Sequence, residues 1–175
     1  YAPGLGYYSA GARKFGADGD FVTAPELTPL FARCLAAQVA EVLARTGGGD
    51  VLEVGAGSGR LAADLLAALE ARRAAPDRYR ILEVSGELRE RQRATLAARV
   101  PGLLPRVEWL DAPPGHAWRG VLVANEVLDA LPVERFRWTG EAFETLGVVA
   151  AGDGFAFEAR PAPAGLAARL AALAG

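Results

Sequence analysis

The chain has no methionine, one cysteine, one histidine and one lysine among its 175 residues. Each scarcity excludes something. A lone cysteine, Cys34, can form neither an internal disulfide nor a cysteine-only metal site. It falls in an apolar helical run and reads as a buried thiol rather than a nucleophile. The single histidine, His116, lies in the loop Ala112-Pro113-Pro114-Gly115-His116 and reads as an exposed bystander. No group of His, Cys and carboxylate has metal-ligand spacing, so no metal is expected. No run of about 18 apolar residues is free of charge, so no membrane span is expected. Net charge is −2, which gives no electrostatic case for nucleic-acid binding. Basic charge comes from 18 arginines and only Lys14, which reads as codon bias. With no methionine and Tyr1 at its start, the chain reads as a piece of a longer one whose targeting segment is not visible. A bacterial cytoplasmic location is the expectation.

What is plentiful is glycine, 21 residues, and three of them organise the chain. In Val51-Leu52-Glu53-Val54-Gly55-Ala56-Gly57-Ser58-Gly59 a buried strand runs into a turn, and from Leu61 the apolar period becomes helical. Strand, tight turn and helix start are where an α/β sheet holds a nucleotide-like ligand. The spacing is G-x-G-x-G, with Arg60 where a dinucleotide fingerprint carries its third glycine. Glu53 lies two residues before Gly55. The pattern resembles the E/D-x-G-x-G-x-G signature of class I methyltransferases that use S-adenosylmethionine (SAM). SAM has no pyrophosphate to cradle, and its sulfonium and ammonium suit an acidic strand end.

Taken in order, residues 1–20 read as loop. Pro25 disfavours helix at Ala24. Thr28 and Pro29 read as the N-cap and first turn of a helix to about Arg45, with Leu30, Phe31, Cys34, Leu35, Val39, Val42 and Leu43 on its apolar side. Strands are expected at 51–54, 79–84, 107–110 and 121–124, and helices at 61–73 and 87–100, the latter capped by Ser85. Arg89, Glu90, Arg91 and Arg93 read as a solvated face. A short helical turn to Leu131, a strand at 133–138, a β-pair at 143–149 and 155–158 around Gly152-Asp153-Gly154, and a helix at 164–174 complete the chain. The expectation is one α/β domain. A lid loop occupies 1–26, a doubly wound Rossmann-like core 27–131, and a hairpin and tail 132–175.

In such a sheet the ligand lies outside the carboxyl ends of the strands. That rule gathers Glu53 to Gly55, Glu83, Asp111, and Asn125 with Glu126. Every one of these ends is acidic or amide, which fits a cationic cofactor carrying a ribose. Glu83 can accept from both ribose hydroxyls, a role that NAD would also satisfy. Asp111 can accept from the adenine amine or act as a loop cap. Glu126 and Asp129, three apart at a helix start, share one side and can clamp a planar cation, or complement the helix dipole. Asn125 can bind the methionine part of SAM or a substrate N–H. Glu26 is a third carboxylate if the N-terminal loop folds over the site.

Three segments carry a closer resemblance. Gly19-Asp20-Phe21-Val22-Thr23-Ala24-Pro25-Glu26 resembles the G-D-F-x-T-x-P-E segment of the MidA-like family. Leu82-Glu83-Val84-Ser85 with Leu88-Arg89-Glu90-Arg91-Gln92 resembles its E-V-S-x-x-L-R-x-x-Q segment. Ala124-Asn125-Glu126-Val127-Leu128-Asp129-Ala130-Leu131-Pro132 resembles its A-N-E-x-x-D-A-L-P segment. The family pattern has proline and arginine between its glycines, where this chain has Ala56, Ser58 and Arg60. Its members also continue beyond the equivalent of Gly175, so strand four is expected at a sheet edge. The resemblance implies a class I methyltransferase fold with SAM as cofactor, bound by Glu53, Gly55, Gly57, Gly59, Glu83, Asp111 and Thr23. It further implies a protein substrate. Mitochondrial members are complex I assembly factors that methylate an arginine of a respiratory-chain subunit. Catalysis would then fall to Glu126 with Asp129 and Asn125. A nicotinamide-dependent oxidoreductase and a non-catalytic assembly module are the alternatives.

Overall fold

The structure is a computed structural model that describes residues 23–174. The lid expected at 1–26 therefore lies outside the described residues up to residue 22. Contacts divide the chain into two compact units, one ending at Ala130 and the other starting at Leu131.

The first unit opens with α1 (Ala24–Leu27), a single turn that begins on the residue before Pro25. The disfavoured conformation at Ala24 is thus accepted, and the Thr23 carbonyl closes the turn by accepting from the Glu26 and Leu27 amides. The Thr28 hydroxyl then accepts from the Leu30 amide at 3.2 Å and opens α2 (Leu30–Thr46). Gly47, at φ 71°, ends α2 in the left-handed conformation that a Cβ would penalise. Next come β1 (Asp50–Val54), α3 (Arg60–Ala71), β2 (Tyr79–Leu82), α4 (Gly86–Arg99), a 3-10 turn at Pro101–Arg106, β3 (Val107–Leu110) and β4 (Gly120–Ala124).

The four strands form a parallel sheet in the order β3-β2-β1-β4, with β4 at the edge. Parallel neighbours require crossover helices, which α3 and α4 supply. Register puts Val51, Glu53, Tyr79, Ile81, Val121 and Val123 on one face, and those hydrophobic residues belong to the core or pack against it. Helix α3 packs against α2 and α4, and eight of its 12 residues are buried, Leu61, Leu65, Leu66 and Leu69 among them. Burying such a leucine contributes about 1.5–3 kcal/mol.

The α2 face that meets α3 is not the one read from its larger residues. Ala32, Ala36, Val39 and Leu43 are buried, while Leu30, Cys34 and Val42 are exposed. Small residues let the two helices approach closely, so the alanines take the contact stripe and the Cys34 thiol faces solvent. Cys34 is therefore not a buried thiol.

The second unit has β5 (Phe136–Trp138), β6 (Phe143–Ala151) and β7 (Gly154–Pro161) in an antiparallel sheet, followed by α5 (Ala164–Ala174). Gly152, at φ 58°, makes the tight β6–β7 turn. Among the described residues no helix is long and apolar enough to cross a membrane.

Candidate active site

The carboxyl ends of β1, β2, β3 and β4 lie side by side, because all four strands run in parallel and in register. The turn after β1 is left-handed at Gly55 (φ 68°), Gly57 (φ 52°) and Gly59 (φ 80°). A Cβ at Gly59 would meet the Gln92 backbone of α4 at 3.0 Å, and one at Gly55 would meet the Val127 side chain at 2.9 Å. A Cβ at Gly57 would meet nothing within 4 Å. Two glycines are therefore demanded by neighbouring backbone and side chain, and the middle one faces open space.

Helix α4 fastens this turn. Gln92 Nε2 donates to the Gly57 carbonyl at 3.1 Å, and the Thr95 hydroxyl donates to the Ser58 carbonyl at 2.8 Å. The Ser58 hydroxyl donates to Glu26 Oε1 and accepts from the Arg60 amide. Glu26 of α1 thus reaches the glycine turn directly. Arg60 pairs with Asp64 at 3.3 Å, and Asp64 also holds Arg99 of α4.

At the end of β2, Glu83 is 8% exposed. Its Oε1 accepts from the Ser85 amide at 2.9 Å, and its Oε2 from Gln92 Nε2 at 3.2 Å. A carboxylate has about four acceptor sites, so lone pairs remain after these two bonds. Arg89 donates to the Glu83 carbonyl, the Leu110 carbonyl and Asp111 Oδ1 at 2.6, 2.7 and 2.8 Å. It ties the ends of β2 and β3 together and is not a solvated residue. Arg93, from the same run, stacks over the Trp109 ring at 4.4 Å. The carboxylate of Asp111 stays largely exposed beyond its bond to Arg89.

Glu53 sits elsewhere than at the rim. It is 2% exposed on the helix-covered face of β1, where the Tyr79 hydroxyl donates to its Oε2 at 2.8 Å. Burial raises its pKa from 4.5 to about 7, partly offset by the Tyr79 hydrogen bond. Burial and the nearby Glu53 carboxylate also push the Tyr79 phenol well up.

The segment after β4 forms no helix. Asn125 and Glu126 are a bend and Asp129 begins a turn, so the one-sided geometry expected of a helix does not apply to Glu126 and Asp129. Glu126 instead has φ 50°, the left-handed region, and is exposed. A non-glycine residue there costs about 1–2 kcal/mol, a strain that clusters at functional sites. Asn125 is half-buried and Asp129 exposed. Thr23 is half-buried at the start of α1.

The site residues that sequence reading missed are Gln92, Arg89 and Thr95. They look like the polar face of a surface helix. Only the distance from α4 to the glycine turn reveals that this face points inward. Among the described residues no three His, Cys, Asp or Glu side chains gather as a metal site would require. An open concavity of about 420 Å³ in the second unit, lined by Glu134, Pro163, Gly165, Leu166 and Arg169, contains no strand-end carboxylate or glycine turn.

A parallel 3-2-1-4 sheet with a glycine turn after the central strand and a buried carboxylate after the next defines the cofactor half of a class I methyltransferase fold. A family model described as "Putative S-adenosyl-L-methionine-dependent methyltransferase" matches residues 34–174, and the chain belongs to that family, the MidA-like group. It is 31% identical to the protein arginine methyltransferase NDUFAF7 homolog, mitochondrial, of Caenorhabditis elegans, over 87% of this chain and 41% of that protein. A crystal structure of a COG1565 superfamily member from Burkholderia thailandensis, bound to S-adenosyl-homocysteine, superposes with a TM-score of 0.81. Identity to it is 53%, over 98% of this chain and 46% of that one. A native structure of a COG1565 superfamily protein from the same organism gives 0.76 at 51% identity, covering 98% and 44%. The chain thus spans less than half the length of these relatives.

Proposed function

We propose that this chain binds SAM over Gly55–Gly59 and serves methyl transfer to a protein arginine, with Glu126 as the carboxylate that receives the guanidinium. The cofactor assignment is supported by fit. The glycine turn offers an open face at Gly57, and Glu83 is buried yet keeps acceptor capacity. Glu83 would take the ribose hydroxyls and Asp111 the adenine amine. Asn125 would meet the methionine part. Glu26, already bonded to Ser58, would border the same turn from the side of α1. When bound, SAM supplies a methyl group on a sulfonium, open to in-line attack by a nucleophile.

The chain's own residues must hold an acceptor in line and manage its charge. An arginine side chain is protonated, with a pKa above about 12. A carboxylate that accepts from two of its N–H groups fixes the plane of the guanidinium and takes up the proton released as the nitrogen is methylated. The observation that carries this reading is the strained, exposed Glu126 at the end of β4, next to Val127, which packs on Gly55. Asp129, in the turn that follows and still in the first unit, is its candidate assistant. The arginine acceptor draws on the likeness to the Caenorhabditis elegans relative.

Glu126→Gln keeps shape and removes charge. SAM binding should persist while methyl transfer falls about 100-fold or more, the lower range for a lost acid–base group. Turnover unchanged per folded molecule would remove Glu126 from the chemistry. Mass spectrometry that found the methyl group on lysine, a small amine or nucleic acid would leave only the methyltransferase assignment. A melting temperature raised by NAD and not by S-adenosylhomocysteine would overturn the cofactor.

A further inference from the structure

Gln92 lies in the middle of α4 and is fully buried. Its amide touches three other elements. The nitrogen donates one hydrogen to the Gly57 carbonyl at 3.1 Å and the other to Glu83 Oε2 at 3.2 Å. The oxygen accepts from the Trp109 indole N–H at 2.9 Å. Chemistry fixes the orientation of this amide, because a flip would set its oxygen against two acceptors and its nitrogen against a donor. All the hydrogen-bonding groups of the nitrogen are used, and no apolar or acidic side chain of similar size can replace them.

We propose that Gln92 is the positioning residue of the cofactor site. It holds the Glu83 carboxylate in the orientation that leaves its free lone pairs for the two ribose hydroxyls, and it fixes the glycine turn against that carboxylate in the same step. The inference rests on the reading of Glu83 as the ribose acceptor. Three observations carry it. The Glu83 carboxylate has two donors among the described residues, and the Ser85 amide is local, two residues away, so among them Gln92 alone holds that carboxylate from another element. A Cβ at Gly59 would meet the Gln92 backbone at 3.0 Å, so the glycine turn and α4 pack closely at Gln92 itself. Thr95, on the next turn of α4, bonds Ser58 and makes the docking two-pointed. A glutamine kept only to satisfy the Trp109 indole would need none of this.

The test compares S-adenosylhomocysteine with its analogue lacking both ribose hydroxyls, by calorimetry on the whole chain. Gln92→Met should weaken S-adenosylhomocysteine about tenfold or more, the scale of a hydrogen bond to a charged group, while the analogue changes by less than about threefold. Glu83→Ala should show the same dependence on the hydroxyls. The double variant should bind no more than about threefold worse than Glu83→Ala alone, because coupled residues are not additive. Equal losses for both ligands, or fully additive losses, would overturn the positioning role. Should Gln92→Met fail to fold, Trp109→Phe releases only the oxygen end of the amide. It should give a smaller loss, again confined to the ligand with hydroxyls, and no such loss would overturn the proposal. The two failures are separable. If Glu83→Ala itself shows no dependence on the hydroxyls, the ribose assignment falls. If Glu83→Ala shows it and the Gln92 variant does not, only the positioning role falls.

Discussion

The two units of this chain bury different things. In the first, a parallel sheet and three helices enclose a continuous apolar core that also takes in Glu53, Ser58, Asp64, Glu83 and Gln92. In the second, an antiparallel ladder leaves Trp138, Val148, Phe155 and Phe157 exposed, Phe155 at 84%. Antiparallel neighbours are satisfied by a two-residue turn and local pairing, so a ladder can form around little core. A parallel sheet has to be covered by its crossovers, and burial then forces every enclosed polar group to find a partner. No described buried side-chain polar atom lacks one. Polar groups fixed in this way are what a binding site needs, and the candidate site lies entirely in the first unit.

Four experiments would break or sharpen that contrast. The largest effect belongs to the core. Leu65→Ala, at a fully buried position of α3, should cost about 2–5 kcal/mol in urea denaturation. Phe157→Ala on the exposed ladder should cost under about 1 kcal/mol. Comparable losses would mean that the ladder is a core in its own right.

The second concerns Glu53. The folded protein keeps a proton on this carboxyl up to about pH 7, whereas an ordinary carboxyl releases it near 4.5. Stability should therefore fall as pH rises through that window, by about 3 kcal/mol in all. Glu53→Gln keeps an acceptor for the Tyr79 hydroxyl and should flatten the curve, leaving the variant more stable at pH 8. Parallel curves for the two proteins would contradict the raised pKa. Third, Glu83→Ala should weaken S-adenosylhomocysteine by about 1.5–3 kcal/mol in calorimetry, and Phe155→Ser in the second unit should leave it unchanged. Equal effects would dissociate the site from the strand ends. The smallest effect is at Arg73, which follows α3 at φ 56°. Arg73→Gly should raise the melting point slightly, by about 0.5–1 kcal/mol of stability, because glycine adopts that conformation without a Cβ clash. A loss of stability would show that the side chain outweighs the strain.

Much of this was legible in the residues. The strands of the first unit are apolar runs bounded by Gly, Pro and charged residues, and three of the four fall within a residue of the expected positions. Strand two ends at Leu82, although the Glu83 amide still donates to the Leu110 carbonyl at 3.2 Å while its carboxylate accepts from the Ser85 amide. The glycine turn and Ser85, which accepts from the Leu88 amide, were readable from local chemistry. What sequence could not give is which side of a polar helix faces inward. Arg89, Gln92 and Thr95 differ from solvated residues only by what lies across from them. The same holds for α2, where alanines meet α3 and Cys34 does not. After β4, the charge pattern of Glu126 and Asp129 suits a helix start, but Glu126 enters the left-handed region and no helix follows.

The place of β1 in the middle of its sheet has a kinetic consequence. Its partners β2 and β4 are both parallel, and β4 joins it only after α3, β2, α4 and β3 have been traversed. Closing loops of that length delays folding, whereas a hairpin such as β6–β7 forms in about 1–10 μs. We expect amide protection during refolding to appear first along β6 and β7 and last along the β1–β4 seam. Pulsed hydrogen exchange that found β1 protected ahead of the hairpin would show that the first unit collapses onto its central strand before its edge is chosen.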